Sequence, residues 1–198
     1  MITRSIPTAE GMHAFGLSLA AELRAGDLLV LDGPLGAGKT TFTRGLGEGL
    51  GIRGTVTSPT FVLARTHPSV VGGPALVHVD AYRLSDPMEL DDLDIDYAHS
   101  VVVVEWGAGM LDGVSESWLE LRLQRPMGAG DEQSDAESDA ESDADEPRTV
   151  TIAGFGPRWA GTEYAGTEHA GTEHAGTEHA GAEHAGTADA EPGAEPSA

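Results

Sequence analysis

The chain of 198 residues carries 33 acidic against 11 basic side chains, a net charge of −22, and no cysteine. A disulfide framework and a thiolate metal site are therefore excluded. No apolar run nears the roughly eighteen residues of a membrane helix, and residues 1–11 lack the basic-then-apolar pattern of a signal peptide. The expectation is a soluble, cytoplasmic protein without membrane contact. The acidity is local. Residues 131–146 hold nine acids and residues 160–198 hold eight, with no base in either; without those seventeen charges the remainder carries −5. A net-acidic core does not favour direct binding of DNA or RNA, where affinity rests largely on neutralising phosphates.

Met12, Phe15, Leu19 and Leu23 recur at spacings of three and four, which predicts an amphipathic helix over 8–24 opened by Thr8 or Pro7 and closed by Gly26. A short apolar strand over 27–32 follows. It leads into Gly33-Pro34-Leu35-Gly36-Ala37-Gly38-Lys39-Thr40, which fits the phosphate-binding loop G-x-x-x-x-G-K-[ST]. A helix over 41–50 completes the strand, loop and helix that this motif requires. The glycines let backbone N–H groups approach phosphate oxygens, and the helix N-terminus adds donors and partial positive charge. Lys39 would reach the β- and γ-phosphates, and the Thr40 hydroxyl would hold Mg²⁺. Lys39 is the only lysine in the chain; the other ten cationic side chains are arginines.

Ser58-Pro59 marks a turn, and a strand is predicted over 60–65. The hydroxyls of Thr57, Ser58 and Thr60 suit either a turn or a loop near the γ-phosphate. The run over 75–80 ends in Asp80 and the run over 101–105 ends in Glu105. An acid at the carboxyl end of a parallel strand lies where open α/β sheets bind ligands, and where a nucleotide site holds Mg²⁺ or its waters. The second run reads as a central strand buried on both faces, with Trp106 as core or as a lid. Between them, Ser85 is a candidate cap for a short helix with Pro87 in its first turn. The acids from Asp86 to Asp96 read as a solvated face.

Residues 118–123 and 148–153 alternate apolar and polar, as an antiparallel pair at the sheet edge would. The acidic segment over 128–147 has nothing to bury and reads as a disordered insert. From Ala160 the pentapeptide Ala-Gly-Thr-Glu-Tyr/His repeats, and a period of five fits neither helix nor strand. The expected organisation is one domain over 1–159 with a disordered tail over 160–198. The histidines of that tail read as low-complexity composition with incidental metal affinity.

The fold expected is therefore a small α/β phosphate-loop domain, with a mainly parallel sheet flanked by helices. A phosphate loop does not by itself name a reaction. A guanine-specific switch of the Asn/Thr-Lys-x-Asp design is disfavoured, because the chain has no asparagine and its one lysine is in the loop. A compact ATPase is the reading the residues favour; a nucleotide-gated binding module and a small-molecule kinase are the alternatives.

The phosphate loop, Thr57-Ser58-Pro59-Thr60-Phe61, His78-Val79-Asp80-Ala81-Tyr82-Arg83-Leu84 and Val104-Glu105-Trp106-Gly107, in that order, resemble the TsaE (YjeE) family. These are bacterial ATPases of the threonylcarbamoyl-adenosine modification of tRNA next to the anticodon. The resemblance implies ATP on Gly36, Ala37, Gly38, Lys39, Thr40 and Thr41, and Mg²⁺ on Thr40 and Glu105. It implies Lys39, Asp80 and Glu105 as the catalytic set, with Asp80 close to the metal or the attacking water. It also implies a TsaD–TsaB partner complex that ATP hydrolysis resets, with tRNA met only indirectly. The sequence departs where many members carry a threonine facing adenine; here that position is Met12.

Overall fold

A computed structural model describes residues 1–59, 62–84, 86–109, 111, 114–125 and 147–166. Seven strands form one mixed sheet in the order β1-β7-β6-β2-β5-β4-β3. They are β1 (Ile2–Ile6), β2 (Leu28–Asp32), β3 (Ala64–His67), β4 (Ala75–Asp80), β5 (Ser100–Glu105), β6 (Trp118–Gln124) and β7 (Arg148–Phe155). The helices are α1 (Ala9–Ala20), α2 (Lys39–Gly49) and α3 (Pro87–Asp91). The four central strands β6, β2, β5 and β4 run parallel, while β3, β7 and β1 pair antiparallel at the margins.

Alternation along the strands builds two cores. Leu29 and Leu31 of β2, Leu76 of β4, Val101 and Val103 of β5, and Leu119 and Leu121 of β6 face α1 and α2. Leu28, Val30, Val77, Val79, Val102 and Val104 face the other side, with Leu90 and Leu111. All six residues of β5 are buried, as the continuous apolar run implied.

The helices over the first face pack closely because small residues line the contact. A Cβ on Gly45 would lie 1.9 Å from the His13 carbonyl oxygen, so only glycine lets α1 approach there. Thr8 caps α1 by accepting from the Gly11 N–H at 3.0 Å.

Several expectations are corrected. Strand β1 was not read from the sequence: Ile2 and Ile6 are its only apolar residues, and its pairing partner lies more than 140 residues away. Because β1 covers β7, the antiparallel β6–β7 pair is not the sheet edge. β3 starts at Ala64, after a left-handed Leu63 (φ 62°) and a Val62 N–H that donates to the Pro59 carbonyl; Thr60 and Phe61, where the expected strand begins, lie outside the described residues. Asp86 caps α3, accepting from the Met88 N–H at 2.8 Å, whereas Ser85 lies outside the described residues.

The domain also continues past Trp159, to Gly166. Tyr164 is buried, its hydroxyl donates to Glu22 Oε1 at 2.8 Å, and its ring meets Trp159 edge-on. The Gly154 N–H donates to the Tyr164 carbonyl at 2.6 Å, and the Met1 ammonium donates to the Ala165 carbonyl at 2.7 Å. The first pentapeptide unit, the one ending in Tyr rather than His, is thus part of the fold. The remaining repeats over 167–198 and the acidic residues 128–146 lie outside the described residues. No helix among the described residues is long and apolar enough to cross a membrane.

Candidate active site at the carboxyl end of the sheet

Strand β2 delivers the loop over 33–40 at the carboxyl end of the parallel strands. Gly36 and Gly38 take positive φ (75° and 101°), which turns successive N–H groups inward at little steric cost. Gly38 caps α2, whose N-terminus points its free donors at the same space. In the register of β4 and β5, Asp80 lies level with Glu105, and β2 places Leu31 level with Glu105 from the other side. Two strand ends and the loop therefore converge.

A cavity of about 670 Å³ opens there, bordered by Gly36, Ala37, Gly38, Lys39, Thr40, Thr41, Asp80 and Glu105. Every residue anticipated for the site is in that set. The structure adds Leu35 and Tyr82, and Ser58 and Trp106 also line it. Of the three candidate hydroxyls, Ser58 reaches the cavity. Thr57 instead accepts from Arg65 at 3.0 Å, and Thr60 lies outside the described residues.

Lys39 is folded back onto its own loop. Its Nζ donates to the carbonyls of Gly33 at 2.7 Å and Pro34 at 3.0 Å, and sits 3.6 Å from the centre of the Trp106 ring. Burial pushes the ammonium below its ordinary pKa, opposed by the nearby carboxylates of Glu105, Asp32 and Asp80. Trp106 itself has φ 64°, a left-handed backbone that a tryptophan seldom adopts. Its N–H donates to the Leu31 carbonyl at 2.9 Å and its ring packs edge-on against Tyr82. Neither the core nor the lid reading describes it fully: it is half-buried, with a face on the lysine.

The Thr40 hydroxyl donates to Glu105 Oε1 at 3.2 Å, and His78 Nε2 lies 2.8 Å from the same oxygen. Asp80 Oδ1 accepts from the Tyr82 N–H at 3.0 Å. The donor set is a hydroxyl and carboxylates, hard oxygens of the kind Mg²⁺ takes. No group of three or more His, Cys, Asp or Glu side chains is placed to hold a metal among the described residues. A cation here would thus share its coordination with phosphate and water, which is the habit of Mg²⁺. The chain fits the ion in that limited sense.

Met12 does not border the cavity. It is buried in the core, beneath Gly38, where a Cβ would be 3.4 Å from its side chain. Arg125 lies beside the loop, its Nη1 3.4 Å from where a Cβ on Gly36 would sit. The position of His78 behind Glu105 was readable in part, since His78 and Asp80 are two apart on a strand and must share a face. The partner of that face was not.

The fold and the site define a phosphate-loop α/β domain. A family model described as "Threonylcarbamoyl adenosine biosynthesis protein TsaE" matches residues 6–133. The tRNA threonylcarbamoyladenosine biosynthesis protein TsaE of Streptomyces coelicolor is 56% identical over 152 residues, 75% of this chain and 94% of the relative. Its namesake in Mycobacterium tuberculosis is 48% identical over 132 residues, 62% of this chain and 79% of the relative. The crystal structure of Bacillus subtilis YdiB superposes with a TM-score of 0.54 at 27% identity, covering 79% of this chain and 86% of that one. The chain belongs to the TsaE family, whose members take part in threonylcarbamoyl-adenosine biosynthesis on tRNA.

Proposed function

We propose that the chain is a Mg²⁺-dependent ATPase that serves the threonylcarbamoyl-adenosine modification of tRNA by binding and resetting a TsaD–TsaB complex. The observation that carries this reading is the convergence of Lys39, Thr40, Asp80 and Glu105 with the donors of the 33–40 loop on one cavity. The relatives named for that biosynthesis supply the pathway. ATP is preferred to GTP because the chain has no asparagine and no second lysine for a guanine-reading motif.

Phosphoryl transfer is mostly positioning and charge neutralisation. Gly36 to Thr41 donate backbone N–H bonds to phosphate oxygens. Lys39 leaves the loop carbonyls and binds the β- and γ-phosphates. Thr40 and Glu105 would hold Mg²⁺, which would supply neutralisation of the phosphate charge. Asp80 or Glu105 orients the attacking water. Trp106 and Tyr82 exclude bulk water from one wall. Leu35 at 87% exposure and Tyr82 at 69% put apolar surface on the cavity rim, which suits a partner that reads the nucleotide state. Turnover by the chain alone is slow in this account and partner contacts complete the site.

The test is Mg²⁺-dependent ATP hydrolysis by the full chain, alone and with purified TsaD–TsaB. Slow basal turnover that rises with the partners and vanishes in Lys39→Ala is expected. Hydrolysis indifferent to the partners would remove the pathway assignment.

A further inference from the structure

We propose that His78 is a positioning residue for the nucleotide site: it holds one oxygen of Glu105 so that the other is presented to the cation. This rests on the Mg²⁺ reading above.

His78 is wholly buried and lies two residues before Asp80 on β4, in the row next to β5. Its Nε2 is 2.8 Å from Glu105 Oε1, and the Thr40 hydroxyl donates to that same oxygen. Among the described residues no hydrogen bond falls on Oε2. The Glu105 side chain is only 4% exposed, so its orientation is decided by protein donors rather than by water. A glutamate has three side-chain torsions, and an unheld carboxylate would spread over several rotamers. With Oε1 fixed from two sides, the carboxylate has one pose, and Oε2 is the oxygen left for a ligand.

His78 Nδ1 strengthens the assignment, because among the described residues it is buried with no hydrogen-bond partner. One ring nitrogen is thus spent on Glu105 and the other on no described residue. A buried imidazole with an unsatisfied nitrogen costs stability, and an apolar residue would fill a β4 position facing the core at less expense. Retaining a histidine there makes sense for the bond that Nε2 makes. The proton sits on Nε2, since only that tautomer gives the carboxylate a donor. Ligand carboxylates are commonly held by such outer partners, which fix geometry without touching the metal.

The experiment is calorimetric titration of the full chain with a non-hydrolysable ATP analogue at graded MgCl₂, and again in EDTA. His78→Leu removes the donor at similar bulk, and His78→Gln keeps an N–H donor at the end of the side chain. The Mg²⁺ needed for half-maximal tightening should rise about 10–100-fold in His78→Leu, the range for losing an outer partner, and return toward wild type in His78→Gln. Affinity in EDTA should be unchanged. In a Glu105→Ala background His78→Leu should have no further effect.

A wild-type Mg²⁺ dependence that His78→Leu shares would overturn the inference alone, as would an undiminished effect in the Glu105→Ala background. Absence of any Mg²⁺ dependence in the wild type would overturn the functional reading itself, and the inference with it. A second measurement needs no His78 variant. Long-range ¹H–¹⁵N spectra of the nucleotide-free wild type should show His78 protonated at Nε2, with that signal displaced in Glu105→Ala. Protonation at Nδ1 alone would contradict the assignment.

Discussion

Asp27 and Glu105 are both buried acids at the ends of central strands, and their surroundings differ. Asp27 precedes β2 at the amino end of the sheet. Arg158 grips both of its oxygens, at 2.9 and 3.1 Å, the Arg24 N–H donates at 2.9 Å, and the guanidinium also reaches the Glu22 carbonyl. Both carboxylate oxygens there have protein donors, and one of those donors is a guanidinium. Glu105 at the carboxyl end has its described donors on one oxygen only, and the nearest cation, Lys39, is occupied with carbonyls and an aromatic face. A buried charge by itself is therefore a poor sign of function. What separates the two acids is whether the donors close around both oxygens or fall on one oxygen of a carboxylate that borders the cavity.

That contrast predicts opposite phenotypes. Lys39→Ala and Glu105→Gln should each lower ATP hydrolysis by about 10²–10³-fold, the scale of one preorganised group at a developing charge, while thermal melting stays close to wild type. Asp27→Ala should do the reverse: about 3 kcal/mol lost in denaturant unfolding, the scale for orphaning one partner of a buried pair, with nucleotide affinity retained. If Asp27→Ala instead abolished nucleotide binding without loss of stability, the closed clamp would not be merely structural.

The stretch 160–166 sharpens the comparison from outside the site. Cutting the chain after Trp159 removes the buried Tyr164 ring and the bonds to Gly154 and Met1. A loss of about 3 kcal/mol is expected relative to a chain ending at Gly166, similar to other buried aromatic deletions. Equal stability of the two would place the boundary at 159 after all. Gly45→Ala should cost about 1–3 kcal/mol by overpacking α1 against α2, read from the same unfolding curves.

The smallest effect is Tyr164→Phe, about 1 kcal/mol for one hydrogen bond. Burial, then the bond to Glu22, raises the Tyr164 pKa above the ordinary tyrosine value. A raised pKa means the folded state keeps its proton where the unfolded chain gives it up. The Tyr164 contribution is thus full below pH of about 10, the ordinary value, and fades as pH rises through the folded value. The stability gap between wild type and Tyr164→Phe should narrow from pH 8 to pH 11; a gap that widened would contradict the buried hydroxyl.

Much of this was legible in the chain. The phosphate loop, Asp80 and Glu105 announced themselves because each follows an apolar run, and the strand period carries all of them to one end of a parallel sheet. Three things were not legible, and each depends on distant residues. β1 has too few apolar residues to show, and it exists because β7 offers an edge. Tyr164 sits in a repeat whose next four units end in histidine, so composition hid the unit with a large side chain to bury. The donors that distinguish Glu105 from Asp27 come from β4, α2 and residue 158, and no local pattern reports such convergence.

The most direct test of the open-carboxylate account is equilibrium binding of ATP to the wild type and to Lys39→Ala, with and without Mg²⁺. The account predicts wild-type binding that Mg²⁺ tightens and that Lys39→Ala weakens by at least about tenfold, one charge-assisted contact of roughly 1.4 kcal/mol or more. Binding that ignores both the metal and the lysine, or no binding at all, would contradict it.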